Sequence, residues 1–136
     1  PGPKDRPAPR RLILDSGAVI ALSRGEQRAR AFLARALELG AAVDVPVVVV
    51  AETLRGRRRD APVHRVLKAV GSVPDTREAH GRTAGRLLGA ARSDDTVDAL
   101  VLAQAVEAGG AMVLTGDPDD LQRLGRPHPE VWVREL

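Results

Sequence analysis

The chain has 136 residues, 43% of them apolar, which fits one compact domain with a single core. It contains no cysteine, so disulfides, thiolate zinc sites and cysteine nucleophiles are excluded. The net charge is +3, but Lys4, Arg6, Arg10 and Arg11 against Asp5 account for all of it, so overall charge argues weakly for a nucleic-acid partner. The longest apolar run, residues 45–51, is far short of the ~18–20 residues that span a bilayer. With no signal-peptide pattern either, the expectation is a cytoplasmic protein without a membrane segment.

Residues 1–10 read as a disordered or extended Pro-rich leader, and residues 11–136 as one domain. Residues 11–14 read as a short buried strand, and 17–23 and 26–39 as helices. In the second helix Phe32, Leu33, Ala36 and Leu37 give the inward spacing and Gly40 the stop. Residues 41–45 form a second strand. Residues 47–55 are ambiguous: their valines favour strand, while Pro46 suits a first helical turn, and helix is the preferred reading. A helix opened by Pro62 runs to 70, and residues 72–74 read as a brief strand. The helix over 76–91 turns Ala79, Thr83, Leu87 and Leu88 inward. The next, capped by Ser93 or Asp94, ends at Gly109-Gly110. Strand 111–114, helix 118–124 and strand 131–133 complete the chain. Strands alternating with helices imply an α/β fold, a short parallel sheet of four to five strands with helices on both faces.

Four acids stand beside or within apolar runs: Asp15, Glu52, Asp98 and Asp117. A carboxylate next to a buried segment is costly unless compensated. Four of them can compensate one another only through a cation, which points to a hard-metal site and phosphodiester chemistry. In parallel sheets the site lies beyond the carboxyl ends of the strands, where Asp15 and Asp117 sit. Each acid also has an ordinary reading. Asp15 can cap a helix, Glu52 can face solvent, and Asp117 can start a turn. Asp98, which shares a helix face with Asp94 and Asp95, can answer the helix dipole.

Residues 12–18 (Leu-Ile-Leu-Asp-Ser-Gly-Ala) resemble the opening strand and first acid of PIN-domain proteins. Ala51-Glu52 resembles their second acid, residues 97–103 the helix of the third, and residues 114–121 the segment of the fourth. Chain length and the lack of other domains resemble VapC-type toxins of toxin–antitoxin pairs. The resemblance implies a three-layer PIN-like fold and an endoribonuclease dependent on Mg²⁺ or Mn²⁺. It also implies an RNA substrate, a small antitoxin partner and a homodimer, with catalytic and metal roles for Asp15, Glu52, Asp98 and Asp117. Thr115 can hydrogen-bond one carboxylate, and Asp120 borders the set. Arg55, Arg57 and Arg58 belong to the densest basic run, which suits an RNA backbone, an antitoxin or a solvated loop. Phe32 and Trp132, the only aromatics, read as core. Val19, Ile20, Leu22 and Phe32 exceed what one small sheet face would bury, which adds to the dimer expectation. The rival reading is a PIN-like scaffold that binds RNA or protein without cutting.

Overall fold

In the computed structural model, residues 9–70 and 72–136 are described. The leader expected over residues 1–10 therefore falls almost wholly outside them. Four strands form one parallel sheet in the order β2-β1-β3-β4. They are β1 (Arg11–Leu14), β2 (Ala42–Asp44), β3 (Ala111–Thr115) and β4 (Val131–Glu135). The helices are α1 (Ser16–Ser23), α2 (Gln27–Glu38), α3 (Val47–Thr53), α4 (Ala61–Val70), α5 (Glu78–Ala91), α6 (Thr96–Glu107) and α7 (Pro118–Leu124). β2 lies on one side of β1, and β3 and β4 on the other. α1 packs with α2, α3 and α4, whereas α6 packs with α5 and α7, and the sheet with these two helical groups makes three layers.

The central strand β1 is buried from Leu12 to Leu14, because both faces are covered. On α1, Ala18, Val19, Ala21 and Leu22 are buried, with α3 and α4 packed against that helix. The apolar surface expected to be in excess on the first helices is thus mostly internal: Val19 and Leu22 are core, and Ile20 and Phe32 are half-buried. The α3 ambiguity resolves as helix. Pro46 stands just before it with φ −61°, and its carbonyl accepts from the amides of Val49 and Val50 at 3.0 and 3.2 Å.

Three local expectations fail for physical reasons. Residues 72–74 form no strand: Val45 N–H reaches the Ser72 carbonyl at 3.0 Å, but Pro74 has no N–H to continue a ladder. Ala79 is exposed and His80 is buried in its place, while Thr83 and Leu87 are buried and Leu88 half-buried as expected, so only the first member of the α5 stripe moves, by one residue. Leu37 is 49% exposed because α2 is an outer helix that meets α1 and keeps Ala29 and Ala36 inward. The two aromatics are half-buried rather than core, and the Arg134 guanidinium lies 5.6 Å above the Phe32 ring.

Candidate active site

The strand register determines where the first acid goes. Leu14 of β1 pairs with Leu114 of β3, so Asp15 and Thr115 leave adjacent strands at the same level. Asp15 N–H donates to the Leu114 carbonyl at 3.0 Å. The Asp15 carboxylate is 7% exposed, and both its oxygens are held. One accepts from Ser16 N–H at 2.8 Å, capping α1, and the other from the Thr115 hydroxyl at 2.9 Å. Thr115 Oγ1 also accepts from Asp117 N–H at 3.1 Å, which sets the turn out of β3.

Asp98 lies in the first turn of α6 and is half-buried. Its carboxyl is pushed up to about 6, first by burial and then by the charges of Asp15, Asp95, Asp120 and Glu52. Glu52, near the end of α3, is also raised, first by partial burial and then by Asp15. The Ser16 side chain and the Arg55 charge pull it back. Carboxylate oxygens of Asp95, Asp98 and Asp120 lie within 4.8 Å of one another. Asp120 is further approached by Arg123 at 3.6 Å.

The acids named from sequence are therefore distributed unevenly. Asp98 senses the charges of Asp15 and Glu52, Glu52 senses that of Asp15, and Asp120 belongs to the tight group with Asp98. Asp117 is on the same rim as the residue preceding α7, but its side chain is exposed and stands outside that group. Asp95, absent from the named set, is inside it. Its i,i+3 spacing from Asp98 at a helix start was the available signal.

This donor set suits a hard divalent cation. It consists of carboxylate oxygens alone, and oxygens across an octahedral Mg²⁺ at ~2.1 Å stand about 4.2 Å apart. A group already within 4.8 Å closes on such an ion with small side-chain movements.

The basic run flanks this region. Arg55 follows α3, and one of its guanidinium nitrogens donates to the carbonyls of Ala51 and Leu54 at 2.9 and 2.8 Å. Arg57 and Arg58 are exposed.

A model of the PIN domain matches residues 12–127. The chain belongs to the PIN domain family. No curated protein matches it. Among solved structures, this PIN domain is similar to a chain of VapBC2 from Rickettsia felis bound to a DNA fragment from its promoter. That match has TM-score 0.71 and 14% identity, over 93% of this chain and 98% of the other. A toxin–antitoxin complex from Klebsiella pneumoniae matches with TM-score 0.68 and 18% identity, over 92% and 99%. FitAcB from Neisseria gonorrhoeae matches with TM-score 0.64 and 20% identity, over 90% and 95%. At these identities the likeness concerns the fold, and it covers nearly the whole of each chain.

Proposed function

We propose that this PIN domain is a metal-dependent endoribonuclease and the toxin of a type II toxin–antitoxin pair. The observation that carries the reading is the gathering of carboxylates around Asp98, whose carboxyl is raised to about 6 first by burial and then by their charges. A group crowded by its own kind at a strand-end rim is a functional-site feature, since such repulsion opposes folding. Asp95, Asp98 and Asp120 would hold Mg²⁺ or Mn²⁺, with Asp15 and Glu52 completing the negative field and Asp117 at the rim. When bound, the cation supplies positive charge toward the phosphate oxygens and lowers the pKa of a coordinated water. Thr115 and Ser16 keep the Asp15 carboxylate oxygens fixed, so that little reorganisation is needed on binding. Arg55, Arg57 and Arg58 lie on the substrate side as phosphate contacts.

One of the similar structures is named as a toxin–antitoxin complex, which supports a small antitoxin as partner. A groove of about 460 Å³ lined by Leu22, Leu33, Leu37 and Val66, with Arg30 and Arg65 at its margin, supports the docking of an apolar antitoxin segment. A homodimer stays part of the proposal on the family resemblance alone. Among the described residues no helix is long and apolar enough to cross a membrane.

The test is cleavage of a mixed RNA pool by purified protein, with Asp98→Asn prepared in parallel. Cleavage that stops in EDTA, returns with Mg²⁺ or Mn²⁺, and is lost in Asp98→Asn is the expected result. Equal cleavage by the variant would point to a contaminating nuclease. No cleavage of any RNA, together with no carboxylate-dependent metal binding, would favour the scaffold reading.

A further inference from the structure

Between α3 and α4 the chain carries four arginines in five residues, and the turn that bears them is organised around one acid. Asp60 is 5% exposed, and a single carboxylate oxygen accepts three consecutive backbone amides. They come from Arg55 at 2.8 Å, Gly56 at 2.8 Å and Arg57 at 3.1 Å. Gly56 has φ +73°, the left-handed conformation that lets successive N–H groups converge on one anion. Those amide bonds hold the Asp60 carboxyl below its ordinary value, against the effect of burial. The turn is thus a backbone anion site already filled by the chain itself.

Its outer surface is the reverse. Arg55, Arg57, Arg58 and Arg59 are all exposed. The guanidinium of Arg55 is engaged by carbonyls at the end of α3, and its charge is felt by Glu52 in the acidic pocket. Among the described residues, Arg57, Arg58 and Arg59 have no carboxylate partner. Like charges gathered on a free loop would spread apart. Here one buried carboxylate fixes the backbone and leaves the guanidinium groups facing solvent beside the helix that carries Glu52.

We propose that Asp60 is a positioning residue, whose clamp on residues 55–57 presents Arg57, Arg58 and Arg59 as a preformed patch for the phosphate backbone of RNA next to the acidic pocket. The inference rests on the nuclease reading for its choice of ligand. The clamp acts through the arginines and touches no substrate. Fixed guanidinium groups lose less entropy on meeting phosphate than mobile ones, so the clamp contributes affinity.

Binding of a fluorescent single-stranded RNA is measured in EDTA over a range of salt, for wild type, Asp60→Ala, the triple variant Arg57→Ala/Arg58→Ala/Arg59→Ala, and their combination. Asp60→Ala is expected to weaken binding about 5–10-fold and to flatten the salt slope by roughly one phosphate contact or more. The combination should be little worse than the triple variant, because both remove the same patch. In cleavage assays the loss should fall on KM more than on kcat. Should Asp60→Ala melt too low to handle, Asp60→Asn, which keeps an acceptor oxygen but not the charge, takes its place with a smaller loss expected. Unchanged affinity and salt slope in a folded Asp60 variant overturns the proposal, as does full additivity with the arginine changes. A poly-glutamate peptide binding as tightly, and with the same dependence on Asp60, overturns the assignment to a phosphate backbone. RNA that is bound in an Asp60-dependent way but never cut supports the clamp while removing the nuclease reading. RNA cut normally by a protein whose binding ignores Asp60 does the opposite.

Discussion

Asp98 carries a raised carboxyl, about 6 against an ordinary 3.8, and this fixes the sign of a pH effect. The folded state holds its proton more tightly than the unfolded chain. Relative to neutral pH the fold is therefore more stable below about pH 4: the penalty on the ionised carboxyl is absent there, grows as pH rises through 6, and is full at neutral pH. Two units correspond to about 3 kcal/mol. Partial solvent exposure reduces this to about 1–2 kcal/mol. Asp98→Asn should accordingly raise the melting temperature by a few °C at pH 7.5 in EDTA and by nearly nothing at pH 4. Equal melting at both pH values would mean that the carboxylates do not press on Asp98. Thr115 offers a second residue-scale test. Thr115→Val removes the hydroxyl that donates to Asp15 and accepts from Asp117 N–H. A loss of about 1–3 kcal/mol is expected in urea unfolding, because a buried carboxylate oxygen is left unpaired. Activity should fall further than stability alone explains, since Asp15 becomes free to turn. A Thr115→Val protein with wild-type stability and turnover would show that this bond holds nothing in place.

At the scale of elements, the start of α1 and the end of β3 approach so closely that a side chain at Gly17 would crowd backbone. A Cβ on Gly17 would stand 3.0 Å from Gly116 N and 3.3 Å from its Cα. Both are backbone atoms, so Gly17→Ala must push the α1 start and the β3–α7 turn apart, at a cost of about 1–3 kcal/mol. That displacement opens the Asp15–Thr115 contact, so an activity loss larger than for an alanine on the exposed face of α5, such as Gly85→Ala, is expected. How far each element could be read in advance follows from the same local physics. β1, α7 and the parallel order were legible because Leu12-Ile13-Leu14 and Pro118 leave little choice. The run Val47-Val48-Val49-Val50 reads as strand by composition, and only the position of Pro46 tips it to helix. Asp15 was legible as a strand-end acid. Asp117 and Asp120 share one turn, and nothing periodic says which enters the pocket. That is decided by Thr115 bonding the Asp117 amide and by the turn of α7 that lies between them. Asp95 shares a helix face with Asp98 in the sequence, but as the residue just before α6 it reads equally as a cap or a dipole partner.

For the molecule as a whole, the carboxylate cluster sets stability against occupancy. Repulsion from Asp15, Glu52, Asp95 and Asp120 on Asp98 weakens the fold at neutral pH, and a cation bound only to the folded state would offset it by mass action. At 100-fold excess over the dissociation constant the gain is about 2.7 kcal/mol. Differential scanning calorimetry should therefore show a rise of several °C with Mn²⁺ or Mg²⁺, absent in Asp98→Asn. Identical melts with and without metal, in both proteins, would remove the cation from the proposal.

The bond between Thr115 and Asp15 joins residues 100 positions apart, and the Asp95–Asp98–Asp120 group spans the last third of the chain. During synthesis the first carboxylate emerges early and waits beside an incomplete sheet. β1 has no β3 neighbour, and α1 no Gly116 to close on, until residues 111–120 have left the ribosome. Long-range pairing of this kind forms late, after most of the chain is available to collapse. A nascent or truncated chain ending before β3 can build β1, α1 and β2 yet hold no complete pocket. The Asp15–Thr115 bond and the Asp95–Asp98–Asp120 group therefore form only once residues 111–120 are available.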